Sequence, residues 1–322
     1  MKKPVLVGGA DGWLGLELIA RLKAQGEAIV ILKEPGRETP PALQGLSSIE
    51  VDLRGKFEVT DQLRNVRVVF NCAGAQHPAR TRELYAVNRD GVANLFRQAS
   101  AAGIESFVHV SSMSVVGPTP PGPEPRSDRR HECRPKTHYA RSKYQGEKLL
   151  LNLARNSKTR VSILRPAVFI GTNPSRNMAS YVEMVAAGRG VIFGREGFYR
   201  SYVRIDKVVT ALLAAEKGPE GPFFVADTPP LTTKQVEDSI AQAAGHVISS
   251  RRFPVFLSRI AESVAWLAGC LGWHLRLVSI AGEFGRHYVC DGREADAAFG
   301  LDVINPRKTF QRMAAGVLAT KD

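Results

Sequence analysis

Tyr139 and Lys143 stand four residues apart, with the hydroxyl pair Ser111-Ser112 upstream of them. On a helix that spacing places phenol and ammonium on one face. A free tyrosine titrates near about pH 10 and is a poor base at neutral pH. A neighbouring ammonium favours the phenolate and is expected to lower that value, tuning the phenol for acid–base work. Ser112 is placed to hold a substrate oxygen meanwhile. The chemistry on offer is proton transfer at an oxygen. Tyr-x-x-x-Lys arises by chance in many chains, so its weight depends on its surroundings.

Those surroundings include Gly9-x-x-Gly12-x-x-Gly15, directly after the apolar run Val5-Leu6-Val7. In such a turn one glycine permits the bend, one lets backbone approach a pyrophosphate, and one lets helix and strand pack closely. The helix that follows presents unpaired N–H groups to phosphates. A ligand-free glycine turn is the bland alternative, but a strand before and Leu14, Leu18, Ile19 and Leu22 at helical spacing after meet the context a dinucleotide requires. At the end of the next strand an acid would bind the ribose of NAD, and a base favours the 2′-phosphate of NADP. Ile31-Leu32-Lys33-Glu34, with Arg37 behind, leans to NADP over NAD, and Glu34 pulls the other way. Asp52-Leu53 suits a contact to the adenine edge, and Asn71-Cys72-Ala73-Gly74 offers small residues where the cofactor must pass. Each is equally compatible with ordinary sheet punctuation.

Positioning these residues requires alternating strands and helices, the signature of parallel βαβ units. The pattern predicts strands at 5–8, 28–32, 49–53, 66–72, 106–112, 161–165 and 222–226. Helices are predicted after Gly12, over 87–102, from about Tyr139, and over 231–244 opened by Thr232 or Thr233. The expected fold is α/β: a doubly wound, mostly parallel Rossmann sheet with a smaller, mainly helical C-terminal substrate lobe. The expected division is 1–171 with 199–228 for the dinucleotide domain, and 172–198 with 229–322 for the lobe. A proline-rich segment from Gly117 to Pro135 reads as a stiff surface loop.

The 322 residues carry 44% apolar and 23% charged side chains, as in an ordinary globular protein. Four dispersed cysteines suit a reducing compartment, and the start leads straight into an apolar strand, so no signal peptide is expected. The expected location is cytoplasmic, with membrane association left open. The net charge of +13 is spread without an aromatic-interleaved basic patch, which argues against nucleic acid. Val264–Trp273 has no charge but is too short to span a bilayer, which takes about 20 residues. A helix buried in the lobe or in a dimer contact is the expected reading. With Arg259 before it and Arg276 after, peripheral membrane contact through 255–281 is the alternative. His131 and His138 flank Cys133 without a fourth ligand at metal-like spacing, so no metal is expected. Gln76, His77 and Arg80 are candidate lining for a substrate pocket, and His109 reads as a sheet residue.

Taken together the chain resembles the extended short-chain dehydrogenases/reductases, over at least 5–209. The resemblance rests on the glycine turn, Asp52-Leu53, Asn88-Arg89-Asp90-Gly91, Ser111-Ser112 through Gly117, Tyr139 with Lys143, Arg165-Pro166, and Tyr202–Val208. The family's usual Thr before the turn is Gly8 here. The resemblance implies that Ser112, Tyr139 and Lys143 form the catalytic set, supported by Asn88. It also implies cofactor contacts at Trp13, Leu14, Tyr139, Lys143, Pro166 and Val168, and a homodimer. Ser112-Met113-Ser114 lacks the carboxylates that dehydratases of this kind carry, which argues against dehydration. The Trp-, Leu- and Ala-rich tail at 253–285 is similar to 3β-hydroxysteroid dehydrogenase-like and dihydroflavonol reductase-like members. The expected activity is therefore NAD(P)-dependent alcohol/ketone interconversion on a small molecule. A sugar-nucleotide epimerase is the alternative, and a non-catalytic dinucleotide-binding sensor or structural subunit the second.

Overall fold

A computed structural model of the chain describes residues 3–124 and 132–319. Strand β1 (Val5–Gly8) is buried at every position, as a strand covered on both faces must be. In chain order there follow α1 (Trp13–Ala24), β2 (Ile29–Lys33), β3 (Ser47–Glu50), α2 (Thr60–Leu63), β4 (Val68–Asn71), α3 (Thr81–Tyr85), α4 (Val92–Ala101), β5 (Ser106–Val110) and α5 (His138–Ala154). Then come β6 (Arg160–Pro166), β7 (Val168–Ile170), α6 (Arg176–Ala186), β8 (Val191–Phe193), β9 (Tyr202–Arg204), α7 (Ile205–Ala215) and β10 (Gly221–Val225). The chain ends with α8 (Thr233–Ala244), β11 (Arg251–Phe253), α9 (Val255–Cys270), α10 (Arg276–Phe284), α11 (Arg293–Phe299) and α12 (Pro306–Ala319).

Seven strands form one sheet in the order β10-β6-β5-β4-β1-β2-β3, every pair parallel. The order reverses between β1 and β4, and open α/β sheets bind ligands outside the carboxyl ends at such a point. Leu18 and Leu22 of α1, Leu212 of α7 and Phe299 of α11 cover one face. Leu63 of α2, Leu95 and Phe96 of α4, and Leu150 of α5 cover the other. This is the doubly wound fold the sequence predicts. A third apolar cluster joins α6, α8 and α12 through Val182, Ile240, Phe310 and Met313, beside the small β7–β9 pair.

Three expectations are corrected. β3 ends at Glu50, so Asp52 and Leu53 lie beyond the strand; the Val51 N–H donates to the Lys33 carbonyl and the chain then turns, with the Gly55 N–H donating to Asp52. The helix predicted over 87–102 opens earlier, at α3, and passes through a π-helical turn (Ala86–Gly91) before α4. Finally, α9 is not buried in the lobe, the first of the two places expected for it: Ser258 and Gly269 are its buried residues, and Phe256, Ile260, Val264 and Leu267 face solvent. The proline-rich segment crosses 125–131, outside the described residues.

One buried ion pair ties α5 to the sheet. Arg165 on β6 donates to Glu147 at 3.0 and 2.5 Å, with both side chains almost fully buried. Removing one partner of such a pair strands a charge in a low-dielectric interior. Glu147→Leu is therefore expected to lower unfolding stability by about 3–5 kcal/mol. Denaturant titration checks this, and Arg165→Met added to Glu147→Leu should recover part of the loss.

Candidate active site

The carboxyl ends of β1, β2 and β4 open onto a cleft of about 330 Å³, lined by Gly9–Gly12, Ile31–Glu34, Val51–Arg54 and Cys72–Ala75. Gly9 makes the turn into α1 with φ +70, and a Cβ on Gly15 would lie 2.1 Å from the Gly9 carbonyl oxygen. The turn is thus folded tightly on itself, and the N-terminus of α1 points into the cleft as a phosphate cradle. Of the expected cofactor residues, Gly9, Gly12, Lys33, Asp52, Leu53, Cys72, Ala73 and Gly74 line this cleft. Leu14 and Gly15 are buried in packing beneath it, and Trp13 stands edge-on to Phe169 at 6.2 Å. Pro166 is paired within the sheet to Val225, and Val168 pairs with Tyr202, both outside the lining.

The end of the cleft beside β2 is a lattice of opposite charges. Arg37 meets Asp11 at 2.8 Å, Lys33 meets Glu50 at 3.6 Å, and Arg54 binds Asp52 at 2.8 Å. Arg54 also contacts Glu34, which Arg37 reaches at 3.7 Å. Hydrogen bonds from Arg54 hold the Asp52 carboxyl below its ordinary value. Asp11 and Arg54 were not anticipated here; neither carries a motif, and the turns bring them in.

Gly74 joins the cleft to Lys143 and Asn88. A Cβ there would sit 2.7 Å from the Lys143 ammonium. Thr137 caps α5 by accepting from the Ala140 N–H, which sets Tyr139 and Lys143 in the first two turns. The Lys143 ammonium is buried and donates to the Val110 carbonyl at 3.0 Å. Burial pulls its pKa down to about 8. Ser112 follows β5 and accepts from Ser114, at 3.2 Å from its N–H and 2.9 Å from its hydroxyl.

The Tyr139 phenol departs from the sequence expectation. Its pKa is pushed up to about 12 rather than down, chiefly by burial. A hydrogen bond with Ser112 opposes the rise, and the nearby Glu283 carboxylate adds to it. Lys143 is not among the groups that offset it; its ammonium is held on the Val110 carbonyl. Glu283, on α10, is itself raised by burial and lies 4.0 Å from Arg200. Nothing in the sequence placed it near Tyr139, since the two are brought together only by the folding of the lobe.

Asn88 sits in the π-helical turn and holds the site from behind. Its side-chain amide donates to the Ala75 carbonyl at 2.8 Å and to the Ser142 hydroxyl at 3.0 Å, while its oxygen accepts from the Ala75 N–H. Such single π turns recur where a helix must aim one side chain. Asn88 is thus a positioning residue. His109 is fully buried with Asn71 at 3.2 Å from one ring nitrogen, and the other ring nitrogen has no partner among the described residues. His77 stacks on His274 at 5.8 Å and Arg80 lies 3.9 Å over the Trp273 ring, so both meet the α9–α10 connection. Among the described residues, no group of three His, Cys, Asp or Glu side chains is placed to hold a metal ion, and His131 lies outside them.

Residues 5–225 match the NAD dependent epimerase/dehydratase family. The chain belongs to that family. Among its relatives, a UDP-glucose 4-epimerase of Vibrio cholerae is 30% identical over 254 residues, 76% of each chain. Sterol demethylase protein B of Methylococcus capsulatus is 29% identical, covering 75% of this chain and 74% of its own. The fold is shared with the Thermus thermophilus UDP-glucose 4-epimerase solved with NAD, at a TM-score of 0.78 and 21% identity over 98% of this chain and 99% of that one. Ser112, Tyr139 and Lys143 all lie within the matched span. Tyr139→Phe keeps the ring and deletes the proton. It should cut turnover by about 10²–10⁴-fold while dinucleotide affinity, read by fluorescence titration, stays unchanged. Undiminished turnover would remove Tyr139 from the chemistry.

Proposed function

We propose that this protein is an NADP-preferring oxidoreductase that interconverts an alcohol and a ketone on a small, largely apolar molecule. The observation that carries the reading is the Lys143 ammonium set against Gly74 at the edge of the cleft, on the same helix as a Tyr139 phenol hydrogen-bonded to Ser112. The bound nicotinamide would supply or accept the hydride. Ser112 then orients the substrate oxygen, Tyr139 moves the proton, and Lys143 supplies fixed positive charge behind both. An apolar substrate is supported by the similarity to a sterol demethylase protein.

A second reading, sugar-nucleotide epimerisation, is favoured by the UDP-glucose 4-epimerases among the relatives. The two differ in cofactor balance. An oxidoreductase consumes NADPH as the ketone disappears, whereas an epimerase converts its substrate with no net change in nicotinamide absorbance. Screening sterols, flavonoid-like ketones and sugar nucleotides with NADPH and NADH separates them. Binding of NADPH without turnover of any would favour a sensor.

The NADP preference rests on Lys33, at the end of β2 where an acid would take the ribose hydroxyls, with Arg37 and Arg54 at hand. A 2′-phosphate would compete with Glu34 for both arginines. Lys33→Asp should shift the NADPH-to-NADH affinity ratio towards NADH by roughly tenfold. An unchanged ratio would count against the assignment.

The protonation states point to ketone reduction at neutral pH. A phenol raised to about 12 stays protonated there and can give up its proton. Reduction should hold through neutral pH and fall as Lys143 loses its charge above about 8. Oxidation needs phenolate and should climb with pH. Rate profiles in both directions test this, and a reduction rate that rises with pH would contradict it.

A further inference from the structure

The α9–α10 hairpin has two unlike faces. On α9, Phe256, Ile260, Val264, Leu267 and Leu271 recur at i, i+4, i+8, i+11 and i+15, which places them on one side of the helix. That side faces solvent, with Leu267 63% and Leu271 71% exposed, and Leu277 of α10 continues it at 80%. The opposite face packs on the first turn of α5. Trp266 stacks on His138 at 4.5 Å, and Gly269 packs against the same ring in the first turn of α5. The connection is pinned by the Thr81 N–H donating to Gly272 and the His274 N–H donating to Ala79.

Charge decides what covers the outer stripe. Residues 251–281 contain Arg251, Arg252, Arg259 and Arg276 and a single acid, Glu262, which is engaged by Arg286. Arg251, Arg252 and Arg276 are exposed at the margins of the stripe. A second copy would bring the same cationic margin against itself, since a two-fold contact uses the same patch twice. Anionic lipid complements both features: acyl chains for the stripe and phosphates for the arginines. Trp273, 52% exposed under Arg80, is the kind of aromatic that settles at headgroup level. No helix among the described residues is long and apolar enough to cross a membrane, so the contact is peripheral.

We propose that the α9–α10 hairpin docks this protein on an anionic bilayer through its outer stripe. Docking is read without turnover, so it stands or falls separately from the reaction proposed above. The test is flotation of the full chain with phosphatidylcholine vesicles, with and without phosphatidylglycerol, at low and high salt. The chain should float with the phosphatidylglycerol vesicles and less so at high salt. Ile260→Asp with Leu267→Asp should weaken binding by roughly tenfold or more. Arg251→Glu with Arg252→Glu should abolish the preference for anionic lipid. A blue shift of tryptophan emission on vesicle addition, absent in Trp273→Phe, reports the contact in an otherwise native chain. Two results overturn the proposal: no binding to either vesicle, or a solution dimer that Ile260→Asp with Leu267→Asp converts to monomer, which would assign the stripe to a second copy.

Discussion

A buried ammonium constrains everything around it. Lys143 is 4% exposed, and a cation withdrawn that far from water costs several kcal/mol unless its surroundings compensate. The carboxyl ends of β4 and β5 meet this demand with groups that are polar and uncharged. The Val110 carbonyl accepts directly, and the Asn88 amide oxygen borders the same space at Gly74. His109 is held neutral by burial and by the ammonium itself, and the Cys72 thiol is pushed up to about 12. Gly74 leaves the space the ammonium occupies. Glu147, one turn further along α5, adds favourable charge at a distance while its oxygens serve Arg165. The result is one fixed positive charge in a neutral shell, a preorganised field at the place where a substrate oxygen would develop charge.

What was legible in the sequence was whatever local chemistry dictates. The glycine turn, the doubly buried strands and the Tyr139–Lys143 pair each announce themselves within a few residues, and the structure assembles them at the switch point of the sheet. Strand ends were less legible, because β3 stops where its neighbour β2 runs out of partners and not where its own residues change. The π turn at Asn88 was hidden for a similar reason: periodicity over 87–102 is satisfied by either helix type, and contacts from Ala75 and Ser142 select the wider one. The direction of the Tyr139 shift was misread because the pair was weighed without its third partner. The ammonium is held on a carbonyl at the end of β5, and burial governs the phenol. The outward face of α9 was illegible outright, since a helix apolar on several sides does not reveal which side its neighbours will cover.

The end of the cleft beside β2 obeys a different rule from the catalytic end. There the charges are half-exposed, so each pair contributes little to stability and is readily exchanged. Glu34 sits between Arg37 and Arg54, and Lys33 leans on Glu50. A lattice of this kind can release arginines to an incoming phosphate at small cost, because the acids left behind remain hydrated. The same replacement at Lys143 would leave a charge stranded. Selectivity between dinucleotides can therefore vary at the rim without disturbing the proton-transfer machinery at the centre.

The lobe couples these two ends to the surface. α9 uses Trp266 and Gly269 to pack on the turn that carries Tyr139, while α10 delivers Glu283 close enough to raise the phenol further. A bilayer holding the outer stripe of α9 would hold those inner contacts too, because a helix engaged on opposite faces cannot rotate about its axis. An apolar substrate would then have a short route from acyl chains to the cleft, past the hairpin and not through bulk water. The basic margin and the protonated phenol would serve the same end: the first brings the protein to its substrate, and the second has a proton ready when the substrate arrives.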